Sequence, residues 1–114
     1  MKNKRVLIID DDKSILRFFM LILQGKGYST DTAETGKEAL EKIKNQLYDV
    51  ILIDVVLPDI NGLNLLMSIP PSTKKIMITG SVSDEYQKRA QVEGAYAYLL
   101  KPVKPEKLLQ TVAN

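Results

Sequence analysis

The sequence contains no cysteine and no histidine. The lack of cysteine excludes a disulfide framework, a thiolate zinc site and a cysteine nucleophile. The lack of histidine excludes a serine–histidine triad, imidazole metal ligands and a phosphohistidine within this chain. Any chemistry must therefore use carboxylates, hydroxyls and lysines.

An excess of one charge sign is also missing, and so is a long apolar run. Sixteen lysines and arginines stand against fourteen aspartates and glutamates, a net charge of +2, which is too small to predict direct nucleic-acid binding. The apolar run that follows Arg5 has only four residues, too few for a signal-peptide core or a membrane span. We therefore expect a soluble, cytoplasmic protein that contacts neither nucleic acid nor membrane.

The length of 114 residues and the hydrophobic content of 45% predict a single domain, 1–114, with a buried core and no second domain for output. Four short apolar runs predict central parallel strands that are covered on both faces. These runs are 6–9, 50–53, 76–78 and 96–100. The polar, weakly alternating stretch 28–33 predicts an edge strand.

Segments with a helical spacing of apolar residues separate these runs. They predict helices at about 13–24, 36–46, 63–69, 83–93 and from 104 onwards, with caps at Asp12 and Thr35 and a stop at Pro70-Pro71. The helix at 83–93 has the smallest apolar face, so it should be the least firmly held. Strands that alternate with helices predict an α/β fold, a doubly wound five-stranded parallel sheet with helices on both faces.

Polar residues occupy the carboxyl ends of the predicted strands, where ligands bind in sheets of this class. They are Asp10 and Asp11, Asp54, Thr79 and Lys101. Neighbouring strands lie about 5 Å apart, so the three carboxylates should crowd together and repel one another. A magnesium ion would relieve that repulsion and leave positions open for phosphate oxygens, which Lys101 and Thr79 could also bind. The pattern predicts magnesium-dependent phosphoryl chemistry.

Four motifs carry a family resemblance that covers essentially the whole chain. They are VLIIDDD at Val6–Asp12, LIDVVLPDING at Leu52–Gly62, MITG at Met77–Gly80 and YLLKP at Tyr98–Pro102. Each motif is weak alone, but together they make the chain resemble the receiver domain of two-component response regulators. The resemblance implies the flavodoxin-like strand order 2-1-3-4-5.

The resemblance also implies the roles of the acidic residues. Asp54 matches the phosphoacceptor, and Asp10 and Asp11 match the acidic pair. Asp11 and Asp54 would bind Mg²⁺ directly together with the backbone carbonyl of Val56, while Asp10 would stand behind these ligands.

Four further positions match residues that respond to phosphorylation. Thr79 matches the switch hydroxyl, Lys101 the phosphoryl-binding lysine and Tyr98 the aromatic residue that changes rotamer on activation. The bond between Lys101 and Pro102 matches the family's cis peptide, which would aim the lysine into the site.

The partners implied are a sensor histidine kinase or phosphotransfer protein and a downstream output domain or protein. The domain would be a monomer or weak dimer that assists its own phosphorylation and dephosphorylation without being an enzyme. Its output surface would comprise the helix at 83–93, the strand that follows and the last helix.

Three other interpretations of the sequence compete with this one. A receiver-like interaction module that is never phosphorylated is the main one. A haloacid-dehalogenase-type phosphatase needs a second aspartate where this chain has Val56. In a flavodoxin, the aspartates at 10–12 would repel the flavin phosphate.

Overall fold

The computed structural model describes residues 4–80 and 83–114. Its strands are Arg5–Ile9 (β1), Ser29–Ala33 (β2), Val50–Ile53 (β3), Lys74–Thr79 (β4) and Ala97–Leu100 (β5). Its α-helices are Lys13–Gln24 (α1), Gly36–Asn45 (α2), Asp84–Val92 (α3) and Pro105–Ala113 (α4), and a 3-10 helix covers Gly62–Ser68. Within the two described ranges, no helix combines the length and the apolar character that crossing a bilayer requires.

The five strands form one parallel sheet in the order β2-β1-β3-β4-β5, which confirms the predicted fold class. Ile9 pairs with both Ala33 and Ile53, and Thr79 pairs with Leu100. The carboxyl ends of the strands therefore meet along one edge, and the residues that follow them are brought together there.

Helices cover both faces of the sheet because successive side chains of a strand point to opposite sides. Leu7 and Ile9 of β1 join a core with α2, the 3-10 helix and α3. Val6 and Ile8 of the same strand join a second core with α1 and α4. Continuous apolar runs in the inner strands are thus explained by burial on two sides.

The prediction that the run 96–100 is a central strand is wrong, although Tyr98 packs against one core and Ala97 and Leu99 pack against the other. The strand begins at Ala97, none of its four residues is fully buried, and Leu100 is 47% exposed. β5 is the last strand of the sheet and has β4 as a neighbour on one side only. Solvent therefore reaches it from the open edge.

The helix predicted at 63–69 is a 3-10 helix that ends at Ser68. Pro70 restricts the residue before it to extended backbone, and Ile69 has φ −97° and ψ 131°. Too few residues remain between Gly62 and the proline for a longer α-helix to propagate, and the tighter 3-10 turn suits such a short segment.

The predicted caps of the first two α-helices are confirmed. The side chain of Asp12 accepts hydrogen bonds from the N–H groups of Ser14 (2.9 Å) and Ile15 (3.3 Å). The hydroxyl of Thr35 accepts one from the N–H of Glu38 (3.1 Å). Asp12 is thereby committed to the start of α1, whereas Asp10 and Asp11 precede the helix.

Helix α3 combines a small buried face with polar contacts. Of its nine residues only Ala90 is buried. Arg89 donates to the side-chain oxygen of Asn64 in the 3-10 helix (2.6 Å) and to Glu93 (2.5 Å). The small buried area agrees with the expectation that this helix is held less firmly than its neighbours, since local stability follows apolar burial.

The loop between β3 and the 3-10 helix is fastened to α2 by Asp59. Its carboxylate accepts hydrogen bonds from the N–H groups of Gly36 (2.8 Å) and Lys37 (2.9 Å). These two hydrogen bonds lower the pKa of Asp59 below the ordinary value for an aspartate. The ionised carboxylate is therefore the form that stabilises the fold.

The Asp59 interaction should make stability depend on pH. A lowered folded-state pKa contributes stability that is complete above the unfolded-state pKa of about 3.9 and is lost as the pH falls through the folded-state pKa. We expect the destabilisation caused by Asp59→Ala, measured by urea unfolding, to shrink from about pH 5 to about pH 2. The difference for Thr35→Ala, which removes a cap that does not titrate, should stay nearly constant; an equal decline for both variants would contradict the prediction.

Candidate functional site

Three backbone hydrogen bonds extend the sheet one residue beyond its strands. The N–H of Asp10 donates to Ala33 (3.0 Å), that of Asp54 to Ile9 (3.0 Å) and that of Lys101 to Thr79 (2.9 Å). A backbone hydrogen bond restricts the direction of the side chain beside it. The backbone of Asp10, Asp54 and Lys101 is therefore restrained at the point where each strand ends.

Three carboxylates meet at this edge, as the sequence predicted. Asp10, Asp11 and Asp54 each offer an oxygen, and these oxygens lie within 4.8 Å of one another. Asp10 and Asp54 are buried, at 3% and 6% exposure, whereas Asp11 is exposed. Such a cluster of hard oxygen donors, closed on the protein side and open at Asp11, suits a divalent cation such as Mg²⁺.

The ammonium of Lys101 bridges the two buried carboxylates. Its Nζ donates to Oδ2 of Asp10 (2.7 Å) and to Oδ2 of Asp54 (2.9 Å). The remaining oxygens accept from the backbone: Oδ1 of Asp10 from the N–H of Asp12 (2.9 Å) and Oδ1 of Asp54 from the N–H of Val56 (3.2 Å). Both carboxylates are thus oriented by hydrogen bonds to each of their oxygens.

Burial and charge act against each other on the pKa values of this cluster. Burial raises the pKa of the Asp10 carboxyl, and the hydrogen bonds from Lys101 and from the Asp12 amide only partly offset it. Burial by itself would lower the pKa of Lys101, but the hydrogen bonds to Asp10 and Asp54 raise it above its ordinary value. Lys101 is therefore a stable cation at neutral pH. It lies beside three carboxylates, and one positive charge cannot neutralise all of them.

Thr79 is the last residue of β4, Tyr98 lies within β5, and Pro102 follows Lys101 just beyond β5. Thr79 is completely buried at the end of β4. Tyr98 is half-buried against the core beneath α3, and burial, then Tyr86 and Asp54, raises the pKa of its phenol. The Lys101–Pro102 peptide is cis, so that prediction is confirmed.

The backbone around Val56 is set by a short antiparallel bridge. Val56 pairs with Asn61, and the N–H of Gly62 donates to the carbonyl of Val55 at 2.6 Å. Because this bond joins the residues that flank the pair, Val56 and Asn61 form a non-hydrogen-bonded pair, whose own carbonyls point away from each other. The carbonyl of Val56 is thus left for another partner, while its side chain is 62% exposed.

No sequence pattern indicates the contact that Asp59 makes with α2. Its position in a loop three residues before Gly62 gave no local signal, because the helix that it caps begins 23 residues earlier in the chain. Sequence patterns for caps depend on neighbours within one helical turn. A cap supplied across the fold can be recognised only once the loop and α2 are placed side by side.

Removing the cation from the cluster should cost stability. We expect Lys101→Met to lower the free energy of unfolding by about 2 kcal/mol without added divalent cations, because it leaves two buried carboxylates facing each other without a counter-ion. Urea unfolding at neutral pH measures this loss. Lys107→Met is the matched control, since Lys107 is exposed on α4 and lysine and methionine have similar helix propensities. Equal stabilities for the Lys101 and Lys107 variants would contradict the prediction.

Comparison with known proteins agrees with this geometry. The family model described as the response regulator receiver domain matches residues 6–113. The chain belongs to the response regulator receiver domain family. It is 38% identical over 110 residues to a response regulator, ArlR, of Staphylococcus saprophyticus, a match that covers 95% of this chain and 50% of the relative. The receiver domain thus spans about half the length of that relative.

Solved structures of response regulators share the fold of this receiver domain. A CheY-like response regulator receiver domain protein from Methanospirillum hungatei superposes with a TM-score of 0.95 at 41% identity, covering 98% of this chain and 92% of that one. A response regulator from Burkholderia pseudomallei, described with a phosphorylated aspartic acid, a calcium ion and citrate, gives a TM-score of 0.90 at 27% identity, covering 96% and 66%. These likenesses support the order and the pairing of all five strands.

Proposed function

We propose that this receiver domain accepts a phosphoryl group on Asp54 in a Mg²⁺-dependent reaction. The observation that carries the proposal is the placement of Lys101 between Asp10 and Asp54, with Asp11 completing a three-carboxylate cluster. The donor would be the phosphohistidine of a sensor histidine kinase or phosphotransfer protein, or a small phosphodonor. This chain has no histidine of its own, so the partner must supply it.

Residues of the domain would hold the metal at the exposed side of the cluster. Asp11, Asp54 and the Val56 carbonyl are the direct ligands in this proposal, with Asp10 behind them and hydrogen-bonded to Lys101. A bound Mg²⁺ would supply charge neutralisation for phosphate oxygens. The donor set fits, because all of its members are oxygens and the Asp54 carboxylate is already oriented by hydrogen bonds from Lys101 and from the Val56 N–H.

The reaction is an in-line transfer in which an Asp54 oxygen bonds to phosphorus while the bond from phosphorus to the donor nitrogen breaks. The nitrogen keeps that electron pair. Such a loose transition state needs positioning and charge stabilisation more than covalent help. The ammonium of Lys101 would stay hydrogen-bonded to the phosphoryl oxygens during the transfer. The Val56 N–H, which donates to Asp54 at 3.2 Å in the structure, could donate to these oxygens as well.

Thr79 and Tyr98 would then respond to the new phosphoryl group. Thr79 could donate its hydroxyl to a phosphoryl oxygen, and Tyr98 would change rotamer in response. To move the active state from 1:99 to 99:1, phosphorylation must favour it by about 5.5 kcal/mol, a plausible sum for several charge-assisted hydrogen bonds. The lightly buried α3, with β5 and α4, is the surface proposed to carry this change to an output domain or protein.

Four finer properties belong to the same proposal. The domain comprises residues 1–114, it acts as a monomer or weak dimer, it works in the cytoplasm, and it contacts no nucleic acid itself. The alternative, a module that binds its partner without phosphorylation, is disfavoured because it gives no reason for a lysine that bridges two buried carboxylates at the strand ends.

The proposal is tested by intact mass after incubation with acetyl phosphate. With Mg²⁺ we expect a gain of about 80 Da, the mass of one phosphoryl unit on a carboxylate nucleophile. With EDTA in place of Mg²⁺ the gain should be absent within the same time. An unchanged mass in Mg²⁺, under conditions that phosphorylate a known receiver domain, would favour the unphosphorylated module instead.

A further inference from the structure

We propose that Asp59 is a positioning residue for the metal site: by holding the β3 to 3-10 loop against the first turn of α2, it keeps the Val56 carbonyl in place. This inference rests on the proposed function, in which that carbonyl is a metal ligand. Asp59 itself would touch neither the metal nor the phosphoryl group.

The attachment joins two elements that are distant in sequence. Asp59 accepts from two successive backbone N–H groups of α2, at 2.8 and 2.9 Å. N–H groups in the first turn of a helix have no partner within the helix and carry its positive dipole end, so an ionised carboxylate binds them well. One exposed side chain thus ties the loop to a helix that is packed against the sheet.

Packing at the same place supports the attachment independently. Gly36 is buried, and a Cβ added there would overlap the side chain of Ile60. The residue that follows Asp59 therefore lies directly on the first turn of α2. The hydrogen bonds and this close contact hold the same point of the loop.

The restraint reaches Val56 through the backbone. Val56 is 62% exposed, so side-chain packing does little to hold it, and its carbonyl follows the path of the loop. That path is fixed on one side by the Val56–Asn61 bridge and the bond from Gly62 to Val55. Asp59 lies inside the turn that this bridge closes, so its attachment to α2 fixes the orientation of the whole turn relative to the sheet.

Loss of this restraint should weaken Mg²⁺ binding by more than a loss of α2 stability alone would. A loosened loop would have to be ordered each time the carbonyl joined a metal shell, and groups that orient metal ligands commonly affect affinity strongly. We expect Asp59→Ala to weaken Mg²⁺ binding by about threefold to tenfold. Asp59→Asn keeps one oxygen acceptor and should recover part of the affinity.

The experiment measures the Mg²⁺ dissociation constant of the native domain and its variants by isothermal titration calorimetry, without a phosphodonor. Thr35→Ala is the matched control, because Thr35 also accepts from the first turn of α2, at Glu38, but its side chain caps the helix from within the same segment. We expect Asp59→Ala to bind Mg²⁺ more weakly than Thr35→Ala, which should match the native domain. Circular dichroism establishes that each variant is folded at the temperature used.

Each other outcome overturns a different statement. Equal affinities for the native domain, Asp59→Ala and Thr35→Ala would reduce Asp59 to a helix cap and refute this inference alone. Equal losses in both variants would assign the effect to α2 stability and refute it as well. If the native domain bound no Mg²⁺, the proposed function itself would fail, and the inference with it.

Discussion

Replacing Asp54 with asparagine is expected to abolish the mass gain of about 80 Da that acetyl phosphate and Mg²⁺ produce in the native domain. An amide is far less nucleophilic than a carboxylate, and it cannot form an acyl phosphate. The variant should still fold, because the amide oxygen can accept from Lys101, and because the substitution removes one of three mutually repelling charges. Intact mass and urea unfolding on the same samples separate the two effects.

The control for this substitution is Asp12→Asn. Asp12 follows the acidic pair directly, but its side chain caps α1 by accepting from Ser14 and Ile15, and asparagine caps a helix about as well as aspartate. This variant loses a nearby negative charge yet should gain the phosphoryl mass as the native domain does. A gain in the Asp54 variant at the native rate would place the nucleophile elsewhere and refute the assignment of Asp54.

The strand-end site could be predicted from the sequence because its members follow directly after buried strands. Because β1, β3 and β5 are parallel, their carboxyl ends share one edge of the sheet, where Asp10 and Asp54 follow neighbouring strands. Lys101 follows β5, which β4 separates from β3, and its long side chain spans that distance. No knowledge of individual contacts was needed. The ion pairs of 2.7 and 2.9 Å that join these residues follow from opposite charges held at that spacing.

Features that depend on the packing of distant segments could not be predicted in this way. The open edge at β5 follows from the order of strands, which came from family resemblance and not from the apolar pattern of 96–100. The attachment of Asp59 to α2 joins segments more than 20 residues apart. The polar link from Arg89 to Asn64 likewise joins two elements whose relative placement no local pattern encodes.

Gly62 is another position whose role depends on packing, because the local sequence indicates only that a loop ends there. A Cβ at this position would overlap the backbone carbonyl oxygen of Asp54 and approach the side chain of Ile53. Backbone that begins the 3-10 helix therefore passes directly against the strand end that carries the proposed phosphoacceptor. Only glycine permits this approach, since neither the carbonyl nor the Gly62–Val55 hydrogen bond can move away without disturbing β3.

Gly62→Ala is accordingly expected to lower the free energy of unfolding by about 3 kcal/mol, at the upper end for overpacking because the obstacle is backbone. Gly80→Ala is the matched control: apart from its chain neighbours, no atom of the described residues lies within 4 Å of its added Cβ, and its φ is not positive, so its stability should change little or rise slightly. Gly36→Ala should fall between them, since Ile60 can partly turn aside. Urea unfolding of the three variants tests the expected order of their free energies of unfolding. If Gly62→Ala were as stable as Gly80→Ala, the end of β3 would be able to shift at little cost. In that case the rigidity ascribed to Asp54 would have to come from its hydrogen bonds alone.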